Sequence, residues 1–144
     1  MIVSQILRSK GSAVLAIAPE ASAIEAARAM NERRVGALVV RRGNGRLEGI
    51  ISERDIVAAL AERGPEAAAR PVRDLMTPAE RLVTCAPADT VDRVMSVMTD
   101  RRVRHLPVLE GGRLAGIVSI GDVVKARLGE TLAEVEAMTA YVRG

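Results

Sequence analysis

The sequence predicts an α/β protein made of two β-α-β-β-α units in tandem, and three observations predict it. The first is an internal repeat at an interval of about 68 residues. Pro19 matches Pro87, Met30 matches Met98, Arg33-Arg34-Val35 matches Arg101-Arg102-Val103, and Leu38 matches Leu106. After a turn one residue shorter in the second copy, Gly49-Ile50 matches Gly116-Ile117, Ser52 matches Ser119 and Asp55 matches Asp122. The second is a helical stripe of apolar residues at i, i+3, i+4 and i+7, present at Ala23, Ala26, Ala27 and Met30 and again at Val91, Val94, Met95 and Met98. The third is a Gly-apolar-apolar-Ser-x-x-Asp stretch near the end of each copy, spanning Gly49 to Asp55 and Gly116 to Asp122.

Each copy reads in the same order. A short helical turn, Val3 to Leu7 or Val72 to Met76, leads to a strand at Val14 to Ile17 or Leu82 to Cys85. Pro19 and Pro87 stop those strands, because proline has no N–H for a ladder and biases the preceding residue to extended backbone. The striped helix follows, opened by a Ser22/Glu25 capping box in one copy and by Thr90 in the other. Strands at Ala37 to Val40 and Leu106 to Leu109 run into Gly43-Asn44-Gly45 and Gly111-Gly112, residues suited to tight hairpins. The return strands are Leu47 to Ile51 and Leu114 to Val118, and Ser-x-x-Asp then opens helices at Ile56 to Ala61 and Val123 to Leu128. These boundaries give a first unit over 1–63, a linker over 64–71 marked by Gly64-Pro65 and Arg70-Pro71, and a second unit over 72–128. The remaining 129–144 forms a separate C-terminal helix, opened by a Thr131 to Glu134 capping box and striped by Leu132, Val135, Met138 and Val142.

Composition describes an ordinary globular chain, 49% hydrophobic and 27% charged. It has no Phe or Trp and a single Tyr, so aliphatic and Met side chains must fill the core. Net charge is +3, and Lys10 and Lys125 are the only lysines, so Arg carries almost all of the positive charge. Arg forks match phosphate or carboxylate oxygens two at a time. The lone Cys85 allows no internal disulfide, and no signal peptide or long apolar span is legible, which points to a cytoplasmic protein off the membrane.

The doubled Ser-x-x-Asp carries the chemistry. An Asp at a helix start can accept both hydroxyls of a ribose diol, while the free N–H groups and the dipole of the same helix end favour phosphate. The plain alternative is a capping box, which this spacing also spells. One copy favours the cap; two copies after matching strands favour ligand binding, and one residue can do both.

The chain resembles the CBS-domain family. The resemblance rests on the tandem units ending in Gly-apolar-apolar-Ser-x-x-Asp, on Asp74-Leu75-Met76-Thr77 and on Arg104-His105-Leu106-Pro107-Val108. It covers residues 1 to 128 and implies two CBS units packed as a pseudo-two-fold pair. It also implies adenosine-nucleotide binding (AMP, ADP, ATP or NAD) in clefts between the units, serving regulation. Asp55 and Asp122 would then hold ribose, with Ser52 and Ser119 on ribose or phosphate. The first strands, including Ile17 and Thr84, would hold adenine, and Arg104 and His105 would grip phosphate. The first unit has Gly36 and Ala37 in that place, with Arg54 as its substitute cation. Together with the tail stripe, the resemblance implies a homodimer; the output is expected to pass to a separate effector protein or to the dimer's own shape, and the sequence requires no metal.

Other residues have structural readings as well. Arg102 is either a ligand contact or a cation placed at a helix end for the dipole, and Cys85 reads as a small buried hydrophobe. Catalysis is not expected: one His and one Cys make no metal cluster, and nothing is spaced as a Ser-His-Asp set. A nucleic-acid-binding accessory protein is the alternative that basic charge supports, but a single Tyr gives no stacking platform. A ligand-free oligomerisation scaffold is the third reading.

Overall fold

The computed structural model describes residues 1–11 and 13–143. In chain order its elements are α1 (Val3–Lys10), β1 (Ala16–Ile17), α2 (Ala23–Arg33), β2 (Ala37–Val40), β3 (Gly49–Ser52), α3 (Glu53–Arg63), α4 (Val72–Leu75), β4 (Thr77–Pro78), α5 (Val91–Arg101), β5 (His105–Glu110), β6 (Arg113–Ser119) and α6 (Ile120–Arg143). They form two compact units, one of Ala13–Val83 and one of Met1–Ser12 with Thr84–Gly144. Each compact unit therefore keeps the β-α-β-β-α body of one sequence copy and takes its lead-in helix from the other.

Backbone bonding shows how closely the two exchanges match. In the 13–83 unit Val72 N–H donates to Ala21 O, Ala23 N–H to Arg70 O and Arg73 N–H to Pro19 O. In the other unit Val3 N–H donates to Asp89 O, Val91 N–H to Met1 O and Ser4 N–H to Pro87 O. Pro19 and Pro87, read from sequence as strand stops, thus also supply the carbonyls that receive the borrowed helices.

The 13–83 unit has a four-stranded sheet in the order β1-β2-β3-β4. β1 runs parallel to β2, while β2 with β3 and β3 with β4 are antiparallel. Its core is Ala26 and Met30 of α2, Leu38 and Val40 of β2, Ile51 of β3 and Val72 of α4, all buried. The expected helical stripe is the face turned inward. In the other unit β5 pairs antiparallel with β6, and only Cys85 bridges to Val108 where a full first strand was expected. Val91, Val94 and Met98 of α5 are buried there, as are Leu106, Val108 and Val118.

Three local expectations change. The hairpin of the 84–144 unit is tight, with Gly111 and Gly112 both at positive φ, as a two-residue turn of primed type requires. Its counterpart is longer: Val40 pairs with Gly49, so 41–48 form a loop around an Arg42–Gly45 turn. The stretch 64–71 contains a 3-10 helix, Gly64–Ala69, with Ala67 buried. At the C-terminus there is no separate capped helix, because α6 runs unbroken from Ile120 to Arg143. Thr131 Oγ1 donates to Arg127 O at 3.1 Å instead of capping. Gly129 weakens a helix interior by only about 1 kcal/mol relative to Ala, and with no proline nearby nothing forces a stop.

Candidate functional site

Each Ser-x-x-Asp sits where a strand becomes a helix, and each is a complete capping box. In the 13–83 unit Ser52 N–H donates to Asp55 Oδ2 at 2.9 Å, and Asp55 N–H donates to Ser52 Oγ at 3.3 Å. Ser119 and Asp122 repeat this at 2.9 and 3.2 Å. Both carboxylates are partly buried. In each box the bond from the Ser N–H ends on the Asp Oδ2, and an ionised carboxylate offers about four lone-pair sites. Capping therefore leaves carboxylate lone pairs that can accept further donors.

The strands before the boxes bring the other candidates close. His105 is the register partner of Ser119, and Ile120 N–H donates to Arg104 O at 2.8 Å. Arg104 and His105 are thus seated beside the first turn of α6, two residues from Asp122 along the chain at Ile120. In the other unit Ala37 is the partner of Ser52, and Glu53 N–H donates to Gly36 O at 3.0 Å. Gly36 and Ala37 therefore occupy the places of Arg104 and His105. Arg54 is exposed in the first turn of α3.

Other candidates lie further off. Ile17 is the partner of Val40, three residues along β2 from Ala37, or about 10 Å at strand rise. Thr84 is exposed and precedes Cys85, whose N–H donates to Pro107 O. Arg102 is the C-cap of α5 in the left-handed region, φ 54°, and Arg34 does the same for α2 at φ 56°. The helix-end reading of Arg102 thus has a backbone basis.

One partner of Asp122 was missed from sequence. Lys10, at the end of the borrowed α1, donates to Asp122 Oδ2 at 2.6 Å and to Ile117 O at 3.0 Å. Burial pushes the Asp122 carboxyl pKa up, but the Lys10 ammonium and the Ser119 donors together outweigh it and hold the value below the usual carboxylate one. The partners lie 112 residues apart, so periodicity could not pair them. The available signal was that Lys10 is one of two lysines in an Arg-rich chain.

Among the described residues no group of three or more His, Cys, Asp or Glu is placed to hold a metal, and no helix is long and apolar enough to cross a membrane. A family model for the CBS domain matches residues 3–62 and 72–129. The chain belongs to the CBS-domain family. A CBS-domain relative from Arabidopsis thaliana, the mitochondrial CBSX3, is 36% identical over 148 residues that cover 99% of this chain and 72% of the relative. The structure of the CBS-domain protein ATU1752 from Agrobacterium tumefaciens is 44% identical, with TM-score 0.83 over 88% of this chain and 92% of that one. The CBS domain pair of protein MJ0100, solved with 5′-methylthioadenosine and S-adenosylmethionine, is 25% identical, with TM-score 0.77 over 90% of this chain and 98% of that one. The fold is a pair of CBS units, as the resemblance implied.

Proposed function

We infer that this CBS pair is a regulatory module that binds adenosine nucleotides, AMP, ADP, ATP or NAD, and passes the binding event to a partner protein or to its own dimer. The observation that carries the reading is the twin strand-to-helix Ser-x-x-Asp, with Arg104 and His105 seated beside one copy. The MJ0100 pair, crystallised with two adenosine-containing ligands, supports the ligand class. Ribose is held at Asp55 and Asp122 and phosphate at Arg104 and His105, with no catalytic step. Mass spectrometry of small molecules released from the purified, denatured protein tests it. A stoichiometric adenosine nucleotide is the expected result. Failure to recover or titrate any such ligand leaves the scaffold reading in its place.

The same module pairs with a second copy through α6. Leu132, Val135, Met138 and Val142 are all exposed, at 54 to 82%. With Leu128 they fall three or four apart along one side of the helix, the spacing of a coiled-coil seam. A two-fold pair would cover the stripe with itself. Light scattering at micromolar concentration should give twice 15.3 kDa, and Leu132→Asp with Met138→Asp should give a monomer.

A further inference from the structure

The box at Asp122 carries a lysine donor, and the position that matches this lysine at the Asp55 box is uncharged. Lys10 Nζ bonds both Asp122 Oδ2 and the Ile117 carbonyl, so its ammonium is held between the end of β6 and the first turn of α6. Its counterpart is identified by matching the two borrowed segments. Leu7 lies against Gly116 as Met76 lies against Gly49, and Ile2 bridges Thr90 as Pro71 bridges Ser22. The same offset sets Lys10 against Ala79, which has no charge. There the Ser52 hydroxyl also donates to Asp55 Oδ2, at 3.1 Å.

This difference alters what each carboxylate admits. Around Asp122 the carboxylate is paired with Lys10, and the backbone of Arg104 and His105 lies at the neighbouring strand end. Around Asp55 the matching strand end is Gly36 and Ala37, and Arg54 in the first turn of α3 follows Glu53. Ribose hydroxyls that reach Asp122 must also compete with Lys10 for Oδ2. A phosphate on the same ligand offers the displaced ammonium a new partner; a bare nucleoside offers none.

We propose that Lys10 is a specificity-determining residue of the Asp122 site, selecting nucleotides with a phosphate next to ribose, nucleoside 5′-monophosphates above all, over the uncharged nucleoside. The proposal rests on the reading of Asp122 as the ribose carboxylate. Its exchange of partners makes Lys10 favour one ligand at the expense of the other, which a merely structural ion pair would not do.

Calorimetric titration with AMP and with adenosine, in an Asp55→Ala background so that the Asp122 site is read alone, tests it. Lys10→Met should weaken AMP roughly 10-fold, the scale of a charge-assisted bond in a part-exposed site. Adenosine should bind as before or more tightly, and Lys10→Arg should keep the preference for AMP. Equal changes for both ligands, or unchanged AMP affinity, overturn the proposal while leaving the ribose assignment standing. If the Asp55→Ala parent with Lys10 intact binds neither ligand, the Asp122 reading fails and Lys10 with it. Should Lys10→Met not fold, Lys10→Gln removes the same charge with a polar side chain and is judged by the same two affinities.

Discussion

Gly49 lies so close to Thr77 that a Cβ built on the glycine would stand 2.5 Å from the Thr77 carbonyl oxygen and 2.6 Å from Met76 Sδ. The glycine that opens the first Ser-x-x-Asp stretch is therefore required by the β4 backbone on the neighbouring ladder. Gly116 opens the second, and a Cβ there would meet Leu7 Cδ2 at 2.7 Å.

A backbone atom cannot swing aside as a side-chain terminus can. Gly49→Ala should destabilise the fold by about 1–3 kcal/mol, the range for overpacking, and Gly116→Ala should cost less because Leu7 can change rotamer. Urea denaturation of both variants reads the order. Equal losses would mean that Leu7 is held as firmly as the β4 backbone.

Asp122 should make the fold acid-sensitive. A carboxyl with a lowered pKa in the folded chain adds stability above its unfolded value, about 3.9. That contribution is lost as pH falls through the folded value. Melting temperatures should thus drop more steeply below about pH 4 in the parent protein than in Lys10→Met. Parallel curves would show that the ion pair adds nothing to stability in this range.

Cys85 should act at the other end of the scale. Burial, with Asp89 adding to it, pushes its thiol up to about 12. The neutral thiol favours the fold below the unfolded value of about 8.5, and the advantage falls as pH rises from there toward the folded value. Ellman's reagent at pH 8 should react slowly with native protein and at once in denaturant. A fast native reaction would mean that the segment around Cys85 opens readily.

The ligand roles separate by substitution. Asp122→Ala should weaken adenosine nucleotides by about 1.5–3 kcal/mol, the worth of bonds to a charged group. Arg104→Ala should lower AMP affinity and leave adenosine nearly unchanged, with the AMP loss shrinking at high salt. Equal weakening of both ligands by Arg104→Ala would make Arg104 a support of the site and not a phosphate reader.

Much of this architecture was legible because it is local and written twice. The α2 and α5 stripes, the caps at Ser22 and Thr90, the turn at Gly111-Gly112 and both Ser-x-x-Asp boxes each depend on residues within a few positions of one another. Such signals are set by helix period, capping and turn geometry, which a single stretch of chain specifies alone. The unbroken α6 was missed because Thr131 to Glu134 spells a cap that the chain does not use, and an available cap does not by itself end a helix. What tertiary structure alone decided is the exchange of lead-in helices. Val3 and Val72 are equivalent in the repeat, yet each bonds to the body of the other copy, and no local preference records which partner a short helix will choose. That choice is made by long-range packing, by Leu7 over Gly116 and Met76 over Gly49. It is also what carries Lys10 across the sequence to Asp122, a contact that helps make the two carboxylate sites chemically different.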